Sequence, residues 1–364
     1  MQVDWLSLSQ FRSYQSLEWV PDPGINVLVG RNATGKTNVL EAIGYLAGLK
    51  SFRSVPDSEL IADDAGAAVI RAAVSGEDRE RLIEIQLNRS GPRQVQVDKN
   101  RLRRSTEMLG VLRVVAFLPD DLDLVKRGPS YRRDLLDEIA VQLWPAAHLD
   151  QAEFERSLRQ RNAFLKSGDR DQTTLSVWDS RLAQAGGRVL ARRAKATGLL
   201  APLLAVAYGE ISSDGLEAAL GYRATWGDGT LGNRTAGDYA DDLAQALEAS
   251  RQADLDRRLT TVGPHRDEPG FRLNHSEART HASQGEQRSI ALAVKIASHR
   301  AIGDLYGESP ILLLDDVFSE LDAGRSEALA ASLPEDTQTI ITSARPEDVP
   351  LTGLQWIVGD GISR

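Results

Sequence analysis

One octapeptide near the start of the chain restricts the fold more than any other feature. Residues Gly30, Arg31, Asn32, Ala33, Thr34, Gly35, Lys36 and Thr37 satisfy the pattern G-x-x-x-x-G-K-[ST]. The apolar run Ile25 to Val29 precedes them and predicts a strand. Behind them, Val39, Leu40, Ile43, Leu46 and Ala47 fall on one face of a helix predicted from Lys36 to about Gly48. A glycine loop between a strand and a helix surrounds phosphate with backbone N–H groups and the positive helix end. In that setting Lys36 reaches the β- and γ-phosphates of ATP, and Thr37 offers its hydroxyl to Mg²⁺. A chance match in a chain of this size arises on the order of once in a hundred.

The metal needs a second anchor, and the other end of the chain supplies a candidate. Ile311 to Leu314 is a continuous apolar run, the pattern of a strand buried on both faces, and it ends in Asp315 and Asp316. Asp315 is placed to hold Mg²⁺. Asp316, pointing the other way along the strand, is the candidate general base or water-orienting group. The competing reading is that the pair only caps the turn Val317 to Asp322. A third stretch, His281 to Arg288, places Ser283 and Gly285 at the start of a predicted helix. Ser283 and Glu286 form either a capping box alone or a capping box that is also an anion site.

A phosphate loop and an aspartate pair that share one metal must fold together, so the two ends of the chain form one body. The expected fold is α/β: an ATPase head of 1–119 and 260–364, a mixed-sheet lobe with the phosphate loop at its core, and an inserted, mainly helical arm of 120–259. Strands are predicted at 3–8, 17–20, 25–29, 67–74, 82–87, 95–97 and 111–117, then at 311–314 and 339–341. Helices are predicted at about 286–302 and at 323–332. The loop Gly227 to Asn233 is rich in turn residues.

The net charge of −9 argues at first against a nucleic-acid partner. Residues 301–364 hold 12 acidic and 3 basic residues, however, which leaves 1–300 balanced at 40 against 40. Residues 151–200 carry 10 basic against 5 acidic residues. Arg156, Arg159, Arg161, Lys166, Arg181, Arg188, Arg192, Arg193 and Lys195 are either a solvated face or a track for a DNA backbone. The absence of cysteine excludes disulfides, thiolate metal sites and a cysteine nucleophile, and fits a reducing cytoplasm. The start, Met1 to Trp5, lacks the basic and apolar regions of a secretory leader. The longest apolar stretch, Leu199 to Tyr208, is too short for a bilayer span. The five histidines show no metal-ligand spacing, and Arg12 either approaches the nucleotide or lies in an exposed loop.

The strings Gly30 to Asn38, Leu40-Glu-Ala42, Lys50-Ser-Phe-Arg53, Phe117-Leu-Pro-Asp-Asp-Leu122 and Arg132-Arg-Asp-Leu-Leu-Asp137 resemble the RecF branch of the structural-maintenance-of-chromosomes and Rad50-like ATPases. So do Gln160-Arg-Asn162, Val177-Trp-Asp179, Gly263-Pro-His-Arg-Asp267, Ala282-Ser-Gln-Gly285 and Leu314 to Asp322. The resemblance implies an ABC-type ATPase that dimerises on ATP, each nucleotide held by one phosphate loop and capped by the partner copy's signature helix. By position, Ser283 and Gly285 would meet the γ-phosphate in trans, and Asp322 would lie in the loop crossing the dimer interface. The implied function is weak Mg²⁺-dependent ATP hydrolysis coupled to binding single-stranded, gapped or junction DNA. RecR, RecO and RecA are the implied partners in recombinational repair, replication and SOS induction. Two departures stand out: Gln284 replaces the glycine of transporter signatures, and Thr342-Ser343 stand where transporters carry a switch histidine. A transporter's nucleotide-binding subunit and a nucleotide-gated structural chromosome protein are the competing readings.

Overall fold

The computed structural model describes residues 1–364 except 77, 78, 170, 213, 228, 230, 233 and 360. The predicted turn-rich loop at 227–233 thus lies partly outside the described residues. The chain divides into two compact units, one of Met1–Asp123, Val206–Gly215 and Ala291–Arg364, the other of Leu124–Ala205 and Leu216–Ile290.

The first unit opens with strands β1 (Gln2–Phe11), β2 (Tyr14–Trp19) and β3 (Ile25–Val29), then helix α1 (Lys36–Gly48). Strands β4 (Ala67–Ser75), β5 (Glu80–Asn88), β6 (Gln94–Val97), β7 (Asn100–Arg101) and β8 (Val114–Phe117) follow. The second unit contains α2 (Pro129–Leu143), α3 (Ala147–Ser167), most of α4 (Gln172–Ile211), β9 (Ala218–Arg223) and α5 (Ala236–Arg257). It continues with β10 (Glu268–Leu273), β11 (Ser276–Glu277), the short α6 (Ala278–His281) and the start of α7 (Gln284–Tyr306). The chain then completes the first unit with β12 (Ile311–Asp315), α8 (Ala323–Ser332), β13 (Thr339–Ser343), β14 (Leu354–Val358) and β15 (Ile362–Ser363).

The first unit holds two sheets. One is antiparallel, in the order β2-β1-β4-β5-β6-β7, and its alternating burial gives it one inner face, as along β4. The other runs β15-β14-β3-β13-β12-β8, parallel except for the edge strand β15. All five residues of β12 and of β13 are buried, as a parallel strand covered on both faces requires. The register puts Leu28 opposite Thr342, and Thr342 opposite Asp315. The carboxyl ends of β3, β13 and β12 therefore finish level, which is where open parallel sheets bind ligands.

In the second unit, Phe154, Leu182, Ala185, Val189, Leu243 and Leu247 form a buried cluster between α3, α4 and α5. The sequence-based boundary at 260 differs from the observed unit, which runs on to Ile290. The cause is non-local pairing: β10 lies antiparallel to β9 from Glu268↔Arg223 to Leu273↔Ala218, which holds residues after 260 in the arm.

Candidate functional site

Strand β3 and helix α1 form at the predicted positions, and the glycine loop lies between them. Gly35 caps α1 with φ +102°, and no side chain caps that helix end. A Cβ on Gly35 would sit 2.8 Å from the Tyr14 hydroxyl oxygen and 2.9 Å from Ser13 Oγ, so only glycine fits there. A Cβ on Gly30 would lie 2.7 Å from the Val358 carbonyl oxygen. Lys36 Nζ folds back over the loop and donates to the carbonyls of Gly30 at 2.6 Å and Arg31 at 2.9 Å. Thr34 Oγ1 donates to the Arg31 carbonyl. Arg31, Asn32 and Ala33 are exposed, and Ala33 has φ +67°.

The two ends of the chain meet where the metal-site reading requires. Thr37 Oγ1 donates to Asp315 Oδ1 at 2.8 Å, across 278 residues of sequence. Thr342 Oγ1 donates to the same oxygen at 2.8 Å. Asp316 does not continue the strand as expected. β12 ends at Asp315, and Asp316 takes φ +51°, its N–H bonded to Thr342 Oγ1 at 2.9 Å. Its Oδ1 is buried and has no hydrogen-bond partner. Burial pushes the Asp316 carboxyl above the usual carboxylate range, and the nearby Asp315 charge adds to that shift. Burial also lowers the Lys36 ammonium, against the opposing pull of Asp316 and Asp315.

Arg12 does not approach the loop as a free cation. Its guanidinium makes a two-pronged pair with Glu41, Nε to Oε2 and Nη2 to Oε1, both at 2.8 Å. Glu41 lies opposite the apolar face of α1, yet has no exposed surface, and it also accepts from Ser51 Oγ at 2.5 Å. Glu41 falls opposite the apolar face of Val39, Leu40, Ile43, Leu46 and Ala47, so helical periodicity does not mark it for burial. Asn38 Nδ2 donates to Ser13 Oγ at 2.9 Å, a further tie between α1 and the β1–β2 turn.

In the second unit, Ser283 forms the predicted capping box at the start of α7. Its N–H donates to Glu286 Oε2 at 2.6 Å, and its Oγ accepts from the Glu286 N–H at 3.3 Å. Ser283 is exposed and Gly285 half-buried. Two of the basic residues named for DNA are instead internal. Arg161 is fully buried, bonded to Asp179 and Asp254, each at 2.7 Å. Arg193 is buried against Asp137, the Tyr222 hydroxyl and the Pro264 carbonyl. The string Gly263 to Asp267 is part of the same scaffold. Asp267 accepts from Tyr222, Trp226 and the Thr225 N–H, and burial lowers the His265 imidazole to about 4. Arg188, Arg192, Lys195 and Arg234 line a cavity of about 860 Å³, with Asp150 paired to Arg188 and Arg192. Arg156, Arg159, Lys166 and Arg181 are exposed.

Residues 2–352 match the family described as the RecF/RecN/SMC N-terminal domain. A DNA replication and repair protein RecF of Streptomyces avermitilis is 39% identical, covering 99% of this chain and 99% of its own. That of Kineococcus radiotolerans is 40% identical over 96% of this chain and 94% of its own. The chain belongs to the RecF family. A solved structure of the recombination mediator protein RecF-ATP in the RecFOR pathway superposes with a TM-score of 0.89, at 29% identity, over 98% of this chain and 95% of that one. The head of an SMC protein bound to the C-winged helix domain of ScpA shares the fold, with a TM-score of 0.54 at 18% identity, over 99% of this chain and 94% of that one. The expected α/β architecture, an ABC-type ATPase head with a helical arm, is the architecture of this RecF chain.

Proposed function

We propose that this RecF chain binds and slowly hydrolyses Mg²⁺–ATP, dimerises on ATP, and binds single-stranded, gapped or junction DNA in recombinational repair. The observation that carries the reading is the 2.8 Å contact between Thr37 Oγ1 and Asp315 Oδ1, which brings the phosphate loop and the acidic strand to one point. A hydroxyl and a carboxylate are hard oxygen donors, and Mg²⁺ is commonly held by one or two such groups together with substrate phosphates. Thr37 and Asp315 would hold the ion, which supplies charge neutralisation on the β- and γ-phosphates.

Each residue of the site then has a stated task. Gly30 to Gly35 wrap the phosphates with backbone N–H groups, and Lys36 exchanges its two carbonyl partners for phosphate oxygens. Asp316, desolvated and with one oxygen unpaired, orients or deprotonates the attacking water. Ser283 and Gly285, at an exposed helix start, would cap the γ-phosphate of a partner copy.

The cavity lined by Arg188, Arg192 and Lys195 supports contact with a phosphate backbone. RecR and RecO are proposed partners because one superposing structure belongs to the RecFOR pathway, and RecA is the proposed beneficiary of loading at gaps. Among the described residues no helix is long and apolar enough to cross a membrane. A cytoplasmic site of action is part of the proposal. The experiment that tests it is ATP binding by Lys36→Ala: nucleotide affinity should be abolished with the unfolding midpoint unchanged, and undiminished affinity would remove the phosphate-loop assignment.

A further inference from the structure

We propose that Thr342 is a positioning residue for ATP hydrolysis, whose hydroxyl fixes the Asp315 carboxylate and the Asp316 backbone relative to each other. The proposal rests on the Mg²⁺–ATP reading of the site. Thr342 lies at the carboxyl end of β13, only 1% exposed. Its Oγ1 donates to Asp315 Oδ1 at 2.8 Å and accepts from the Asp316 N–H at 2.9 Å. The Asp316 N–H also reaches the Thr342 carbonyl at 3.2 Å. One hydroxyl thus serves both members of the aspartate pair.

Two consequences follow from that geometry. Asp315 Oδ1 accepts from two hydroxyls, Thr37 on α1 and Thr342 on β13. Thr37 would also hold the ion, whereas Thr342 would have no such duty and keeps the carboxylate aimed. Asp316 Oδ1 is buried and has no hydrogen-bond partner. The Asp316 backbone takes φ +51°, a left-handed conformation that a non-glycine residue keeps only when its surroundings enforce it. The Thr342 hydroxyl is one of the groups that enforce it.

The test compares Thr342→Val, which keeps the shape and removes the hydroxyl, with Thr342→Ser, which keeps the hydroxyl. Three quantities are measured on the full chain: ATP affinity in EDTA, Mn²⁺ affinity by electron paramagnetic resonance with a non-hydrolysable ATP analogue, and the single-turnover hydrolysis rate. The valine chain should bind ATP in EDTA like wild type but lose about tenfold or more in hydrolysis, with a several-fold weaker hold on Mn²⁺, the scale expected for a hydrogen bond to a charged group. The serine chain should match wild type on all three. If the valine chain unfolds, Thr342→Ala removes the same hydroxyl and carries the same expectation. Wild-type hydrolysis in the valine chain, or an equal loss in the serine chain, would overturn the proposal alone. A wild-type chain that binds no ATP would overturn the underlying reading and the proposal together.

Discussion

Arg193 in the second unit and Lys36 in the first are both buried cations, yet their partners differ in kind. Arg193 uses Nε and both Nη atoms on the Asp137 carboxylate, the Tyr222 hydroxyl and the Pro264 carbonyl. Arg161 nearby is matched by two carboxylates and the Thr260 hydroxyl. The hydrogen bonds of Lys36 among the described residues go to two neutral loop carbonyls, of Gly30 and Arg31. A buried charge matched by fixed carboxylates holds a fold together. A buried charge with neutral, exchangeable partners is available for a ligand.

The contrast is sharpest for Arg161. Replacing it with alanine leaves buried Asp254 without its cation and Asp179 with Arg251 alone, and should destabilise the protein by about 3–5 kcal/mol. Urea unfolding of Arg161→Ala checks this, and a loss below about 1 kcal/mol would show that the ion-pair hub is not structural. Lys36→Ala should do the reverse, leaving stability intact and removing nucleotide binding.

Ser283 sits between these extremes, since one geometry serves both capping and anion binding. Ser283→Ala should cost about 1 kcal/mol through the lost cap. Ser283→Arg should spare ATP binding by the monomer and prevent ATP-dependent dimerisation on a sizing column. A dimer that survives the arginine would reduce Ser283 to its capping role.

Local elements were legible where local chemistry decides them. The bounds of β3, α1 and α8 follow from apolar periodicity and from caps such as Asp322, whose side chain accepts from the Arg325 N–H. Features set by pairing across long sequence separations were not. Residues 268–273 lie in the second unit because β10 pairs with β9, and no local pattern announces that register. Arg161 and Arg193 stand in a basic, helical stretch indistinguishable in sequence from a solvated face, and only packing against Asp254 and Asp137 buries them. In the site, the loop and Asp315 are legible because their chemistry imposes a pattern. The left-handed turn at Asp316 and its hold by Thr342 depend on two parallel strands ending level.

On the proposed function, the two ends of the chain build one ATP-hydrolysing site in which Asp316 acts on water after the nucleotide is bound. Asp316→Asn tests it most directly, by single-turnover ATP hydrolysis alongside ATP affinity and dimer lifetime. The account predicts wild-type affinity, a rate lowered by about a hundredfold or more, and a longer-lived ATP-bound dimer. Wild-type turnover in the asparagine chain would contradict it.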